Sequence, residues 1–300
     1  MTLTPLVALL LLASPKPLQP MPKKEFERAR QLEAQAREAQ RAGRFMDAEK
    51  PLLDAISLWT RYRGAQDIEV LNDTMNLAVA YRRHGAPERG IPLLEKAVEG
   101  LAACADSDAP ELRRKAMNNL ATAYHFANRL QEARKTYEAL LALLDEQSPS
   151  EERARVIDNF ASLLLDQRDR AGAKALARKG YAEWLALRGE DDQDTAVSLS
   201  TLGAIESAMG EQQEARRHLE QSLRTSEKLL GRDHPNIGAV LNLLAVVEVR
   251  SGNPAEARAL YERSLVISRA RLSPDHIQIK DALLGLQSLA PAADAGTRPR

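Results

Sequence analysis

The pair Asp233-His234 is where residue types and spacing first suggest chemistry. An acid beside an imidazole can orient the ring as a general base. Here a proline follows, then the apolar run NIGAVLNLLA. The same layout stands 42 residues earlier in GEDDQDTAVSLSTLG (189–203) and 42 residues later in SPDHIQIKDALLGLQ (273–287). A pair that returns at a fixed period belongs to architecture before it belongs to a reaction. Asp191, Asp233 and Asp275 each stand just before an expected helix start. A carboxylate there can accept the free N–H groups of the first turn and faces the positive end of the helix dipole. Pro235 suits the first helical position, where a missing N–H costs nothing. Capping accounts for the acid and the proline together.

Other chemistry finds little support. The five histidines, His84, His125, His218, His234 and His276, are scattered, and only His234 and His276 fall at equivalent positions. A zinc site needs more ligands at short fixed spacing. The chain has no Gly-rich phosphate loop, no G-x-S-x-G and no H-E-x-x-H. The single Cys104 excludes an intrachain disulfide and a multi-cysteine metal site, and reads as a half-buried filler at a helix end. The expectation is a chain that is not an enzyme, with no catalytic residues, no metal and no cofactor. A hydrolase built across a groove is the remaining enzymatic alternative, and no motif speaks for it.

The elements that carry these residues are helical. Hydrophobic residues make up 44% of the 300-residue chain and aromatics only 4%, with leucine and alanine prominent. Lys+Arg and Asp+Glu both total 42, so the net charge is zero, which argues against a nucleic-acid partner. The apolar run from Leu6 to Ala13 is too short to span a bilayer and fits the core of an export signal, although no Lys or Arg precedes it. Residues 1–22 read as that signal-like segment and a Pro-rich tether, so the chain is expected to be periplasmic or secreted. The alternative is a cytoplasmic leader.

Self-comparison organises the rest. GEQQEARRHLEQSL (210–223) and GNPAEARALYERSL (252–265) match at seven of fourteen positions, at an offset of 42. The same frame holds GAPERGIPLLEKAV (85–98), GRFMDAEKPLLDAI (43–56), NRLQEARKTYEALL (128–141) and RDRAGAKALARKGY (168–181), with steps of 42, 43, 40, 42 and 42 residues. Each copy follows an apolar segment such as MNNLATAYHFAN (117–128). Leu120, Ala121 and Tyr124 share one helix face there, as Ala133, Tyr137 and Leu140 do in the next segment. Between the segments stands Gly43, Gly85, Asn128, Arg168, Gly210 or Gly252, where the first helix must end and the chain reverse. Each unit is therefore two antiparallel helices.

These residues resemble the tetratricopeptide repeat (TPR). Leu77-Ala78-Tyr81 and Leu120-Ala121-Tyr124 match the first half of its motif, as do Leu202-Gly203 and Leu244-Ala245. Ala48, Ala133, Ala173, Ala215 and Ala257 match its small second-helix position, and Tyr137 and Tyr261 its aromatic. The long step, with LGRDHPNI between units, looks like the kinesin-light-chain subtype. Departures are Ala39, Glu206 and Glu248 at the tyrosine position, Gly90 for alanine, and a fourth repeat with Gly180 and no aromatic. The resemblance implies an all-α fold, a right-handed superhelical solenoid of six repeats plus a C-terminal capping helix. The array spans 25–289, with repeats at 29–62, 71–104, 114–147, 154–187, 196–229 and 238–271, the cap at 275–289, and a disordered tail at 290–300.

The resemblance also implies a concave groove lined by the first helix of each pair. Residues two before, two after and five after the motif leucine would face it: Met75, Val79 and Arg82; Asn118, Thr122 and His125; Asp158, Ser162 and Leu165; Ser200, Ala204 and Ser207; Asn242, Val246 and Val249. In similar repeats groove asparagines hydrogen-bond the backbone of an extended peptide, and Asn118 and Asn242 occupy that position. The expected partner is a protein or peptide, with no nucleic acid and no stable membrane span. Self-association through the apolar C-terminal groove, as a structural module of an envelope or secreted assembly, is the alternative.

Overall fold

The computed structural model describes residues 19–144, 148–272, 274 and 276–289. The run Leu6–Ala13, Asp275 and the tail 290–300 lie outside the described residues. Thirteen α-helices and one 3₁₀ turn, Phe45–Ala48, make up the described fold. They fall into two compact units, divided between residues 144 and 148. Unit 1 holds α1 (Lys23–Arg41), α2 (Glu49–Arg63), α3 (Ile68–Arg83), α4 (Pro87–Ala103), α5 (Ala109–Phe126) and α6 (Leu130–Leu143). Unit 2 holds α7 (Glu151–Asp166), α8 (Arg170–Arg188), α9 (Gln193–Met209), α10 (Gln212–Leu230), α11 (Pro235–Arg250), α12 (Pro254–Arg271) and α13 (Ile277–Ser288). In each unit consecutive helices pack as pairs and each pair packs on the next. The expected six pairs and closing helix are present.

The pairs stack because each helix has apolar residues on more than one side. In unit 2, Ala215 and Leu219 of α10 meet Val240, Leu244 and Val247 of α11, while Ala245, next to Leu244, packs with Tyr261, Leu265, Ile279 and Ala282 of the following helices. A lone pair would leave one of these surfaces in water, at about 25 cal/mol per Å² of apolar area. The small second-helix positions permit the close crossings. Ala48, Ala133, Ala173, Ala215 and Ala257 are all completely buried. At Gly90, the exception among them, a Cβ would stand 2.8 Å from the Ala78 carbonyl oxygen, so glycine is required there.

The departures from the motif tyrosine are answered by changed partners. Tyr81 donates its hydroxyl to Glu49 Oε1 at 2.8 Å, and Tyr124 donates to Glu95. In the last two repeats of unit 2 the same position is an acid, and α10 supplies the base. Glu206 contacts His218 Nδ1 at 2.6 Å, and Glu248 accepts from Arg216 at 2.7 Å and from Asn253 at 2.8 Å. Arg217 reaches His218 Nε2 at 2.9 Å, and a guanidinium can only donate. A neutral ring with its proton on Nδ1 therefore satisfies both neighbours.

The capping expectation needs a correction of one residue. Pro235 does begin α11, but the cap is His234, whose Nδ1 accepts the Asn236 N–H at 3.2 Å. A proline holds the residue before it in extended backbone, and His234 has φ −76° and ψ 140°. Asp233 stands one residue further out and is exposed. His276 caps α13 in the same way, at 3.3 Å to Gln278 N. In α9 the cap is Asp192, which accepts from Asp194 and Thr195, while Asp191 pairs with Lys228 at 2.7 Å.

The reversal positions are as expected. Gly43, Gly85, Gly210 and Gly252 take φ of 72°, 87°, 90° and 81°. Asn128 (58°) and Arg168 (65°) take the same left-handed geometry with a side chain present. Asparagine tolerates it, whereas arginine pays for its Cβ. Arg168→Gly is expected to stabilise unit 2 by about 0.5–1 kcal/mol, the relief of that strain less the added chain entropy. A urea unfolding curve checks this, and a destabilised variant contradicts it.

Candidate functional site

The first helices carry the residues expected to line a groove, and the two units use them differently. In unit 1 Thr122 stands against Tyr137. The Tyr137 hydroxyl lies 3.0 Å from Thr122 Oγ1, which in turn donates to the Asn118 carbonyl at 2.7 Å. Arg82 lies over the ring of Phe126, 5.6 Å from its centroid, and the His125 ring is 6.0 Å from the same ring. Phe126 itself is 63% exposed. Met75 is buried, and Val79, Arg82, Asn118, Thr122 and His125 are half-buried. Burial and the adjacent Arg83 lower the Arg82 pKa to about 10. Its Nε is covered and has no acceptor among the described residues.

In unit 2 most of the corresponding polar atoms are spent inside the array. Asp158 Oδ2 accepts from Trp184 Nε1 at 2.9 Å, and its Oδ1 accepts from Ser198 Oγ at 2.7 Å. Burial pushes this carboxyl up to about 7, and the two donors pull against that shift. Ser162 donates to the Asp158 carbonyl at 3.2 Å, and Ser200 to the Val197 carbonyl at 2.7 Å. Ser207 accepts from Arg250 at 3.0 Å. Asn242, 8% exposed, donates its amide to the Gln278 carbonyl of α13 at 2.9 Å, and its Oδ1 is buried without a partner. It therefore ties the last helix to α11. Leu165 and Ala204 are half-buried, Val246 packs toward α13, and Val249 is exposed.

Sequence spacing did not reveal the contact of Tyr137 with Thr122, nor Phe126 as the exposed aromatic of that face. It also missed Trp184. The signal was present in the repeat frame: one 125-residue offset relates Glu33 to Asp158, Trp59 to Trp184 and Asp73 to Ser198. In unit 1, Trp59 Nε1 donates to Glu33 Oε1 at 2.9 Å, as Trp184 does to Asp158. Each unit thus opens with an acid, buried at Glu33 and half-buried at Asp158, held by the indole N–H of its own repeat. Among the described residues no group of three or more His, Cys, Asp or Glu side chains could hold a metal, and no helix is long and apolar enough to cross a membrane.

A profile described as "Tetratricopeptide repeat" matches residues 151–228 and 194–270, and a second profile of that description matches 116–151. The chain is a tetratricopeptide repeat protein. Among solved structures, this TPR chain is similar to BtubC (BKLC) from P. vanneervenii, with 17% identity over 93% of this chain and 98% of that one, at TM-score 0.56. It is also similar to a kinesin light chain candidate of Podospora anserina with nearly identical TPR-like repeats: 25% identity over 68% and 97%, TM-score 0.52. A Rap protein solved with competence and sporulation factor gives 12% identity over 88% and 87%, TM-score 0.58. The first and third likenesses establish the fold alone. No curated protein matches the chain in sequence.

Gly180, the oddity of the fourth repeat, has a role in this TPR array. A Cβ there would stand 2.3 Å from Asp158 Oδ1. Glycine leaves the space into which the buried carboxyl fits. Gly180→Ala is expected to destabilise unit 2 by about 1–3 kcal/mol, the usual cost of overpacking. Urea unfolding measures it, and a neutral substitution contradicts the tight fit.

Proposed function

We propose that this chain is a non-catalytic scaffold or adaptor, and that unit 1 takes a protein or peptide at the face formed by Arg82, Asn118, Thr122 and His125. The TPR fold is generally a protein-binding module. The observation that carries the finer reading is Arg82. It is a largely covered cation, it makes no ion pair or hydrogen bond among the described residues, and its neighbours Arg83, Tyr137 and Phe126 offer it no anion. A covered charge without a counter-ion is costly to the free protein. An acidic or carbonyl group of a partner would supply the missing acceptor, with the exposed ring of Phe126 beside it. In unit 2 the equivalent polar atoms, Asn242 Oδ1 apart, already have internal partners, which favours unit 1 as the binding face.

Stability and binding should move in opposite directions. Arg82→Met keeps the aliphatic volume and removes the charge. It is expected to leave stability to urea unchanged or to raise it by about 1 kcal/mol. The same variant, and Asn118→Ala, should lose proteins that the wild-type chain retains in affinity capture. An undiminished set of captured proteins contradicts the reading.

A second reading is self-association, favoured by large apolar side chains left exposed at the end of unit 2: Val266 (73%), Ile277 (60%) and Leu284 (63%). Light scattering over a concentration series decides it, since a monomer throughout removes it. Export belongs to the proposal as well, supported by the apolar run Leu6–Ala13. Mass spectrometry of the mature protein should then find an N-terminus between Ser14 and Lys16, and an intact Met1 in cells contradicts it.

A further inference from the structure

The acid–tryptophan pairs of the two units share one register but differ in their third member. In unit 2, Asp158 receives Trp184 from α8 and the Ser198 hydroxyl from α9. In unit 1, Glu33 receives Trp59 from α2, and the position of Ser198 is taken by Asp73 on α3. The donor of one unit is thus replaced by a second acid in the other. Both carboxyls are inside the unit: Glu33 is 4% exposed and Asp73 2%.

The charges around them do not balance evenly. Arg30 of α1 bonds both Glu33 oxygens, at 3.2 and 2.9 Å, and also pairs with Glu69 of α3. Arg37 of α1 stands 3.6 Å from Glu33. The arginines therefore serve Glu33 and Glu69, and no ion pair reaches Asp73 among the described residues. Asn76 on its own helix favours the charged form of Asp73, while Trp59 from α2 is committed to Glu33. Asp73 Oδ2 is covered and has no partner. The groups that bear most on Asp73 are Glu33 and Arg30 from α1 and Asn76 and Glu69 from α3.

We propose that Asp73 is a proton-operated clamp between the first and second repeats. With a proton on Oδ2, Asp73 becomes a donor, as Ser198 is in unit 2, and α3 can close on α1 and α2. Without the proton, a second negative charge is buried beside Glu33 and the first helix pair loosens from α3. Burial first, and Glu33 next, raise the Asp73 pKa from 3.8 to about 7. The sign follows from proton binding. Between about pH 4 and pH 7 the folded state holds a proton that the unfolded state has lost, so the contribution of this group to stability falls as pH rises. Ordinary surface carboxylates act in the opposite direction.

The test is hydrogen exchange of the full chain, read by mass spectrometry on peptides from α1 to α3 and corrected for the intrinsic pH dependence of exchange. From pH 5 to pH 8 the wild-type segments are expected to lose protection by about tenfold or more, the scale of one pKa unit of linkage. Asp73→Ser installs the hydroxyl found in unit 2 and should make that protection independent of pH, with its gain confined to pH 8. Asp73→Asn, closer in shape, should do the same. Peptides of α7 to α9, where Asp158 is untouched, serve as the reference and should follow wild type in both variants. If wild type and variants keep the same pH dependence in α1 to α3, the proposal fails. Should both variants misfold, the Asp73 carboxyl carbon titrated by NMR in the wild type decides: a midpoint near 7 supports the clamp, and one near 4 overturns it.

Discussion

A largely covered carboxyl where three helices meet constrains all three. Asp158 hangs from α7, the indole that receives it stands on α8, and the hydroxyl that completes it stands on α9. A buried carboxyl without donors costs several kcal/mol, so the helices must arrive in the one arrangement that supplies both. Gly180 then has to be bare, because its Cβ would enter the carboxyl's space. Glu33 and Trp59 impose the same condition on the first pair of unit 1. Apolar stacking would hold the helices against each other in several neighbouring registers. The buried polar contact selects one of them.

The same logic divides the polar residues of the first helices into two kinds. Some complete the array. Asn242 fastens α13 to α11 through the Gln278 carbonyl, and Glu206 and Glu248 replace tyrosines while drawing His218 and Arg216 inward. Others are left with demands the array does not meet. Arg82 is covered and lacks an acceptor, and Asp73 is covered with an unpartnered oxygen. Unmet demands of that kind are the places where a TPR module can exchange stability for binding or for a response to protons.

Much of the architecture was legible because it rests on local rules. The left-handed turn positions follow from what glycine can do, and the small second-helix residues follow from helix crossing distance. The capping position was misread by one residue, because the helix begins one residue later than the aspartate suggested, and the same offset returns at Asp192 of α9, where no proline follows. The groove positions could be counted off from the motif leucines. Whether each side chain there is free could not be, because its partner lies elsewhere in the chain. Trp184 is on the helix after Asp158, and Gln278 is two helices beyond Asn242. A one-dimensional repeat frame becomes informative about such pairs only when an acid and a tryptophan recur together at one offset, as they do here.

The most direct measurement is a double-mutant cycle on that contact, with Asp158→Ala, Trp184→Phe and the double variant compared by urea unfolding of the full chain. A coupling of about 1–3 kcal/mol is expected if the indole and the buried carboxyl hold one another in place. Strictly additive losses would contradict it, and would mean that unit 2 is fixed by apolar stacking without the polar contact.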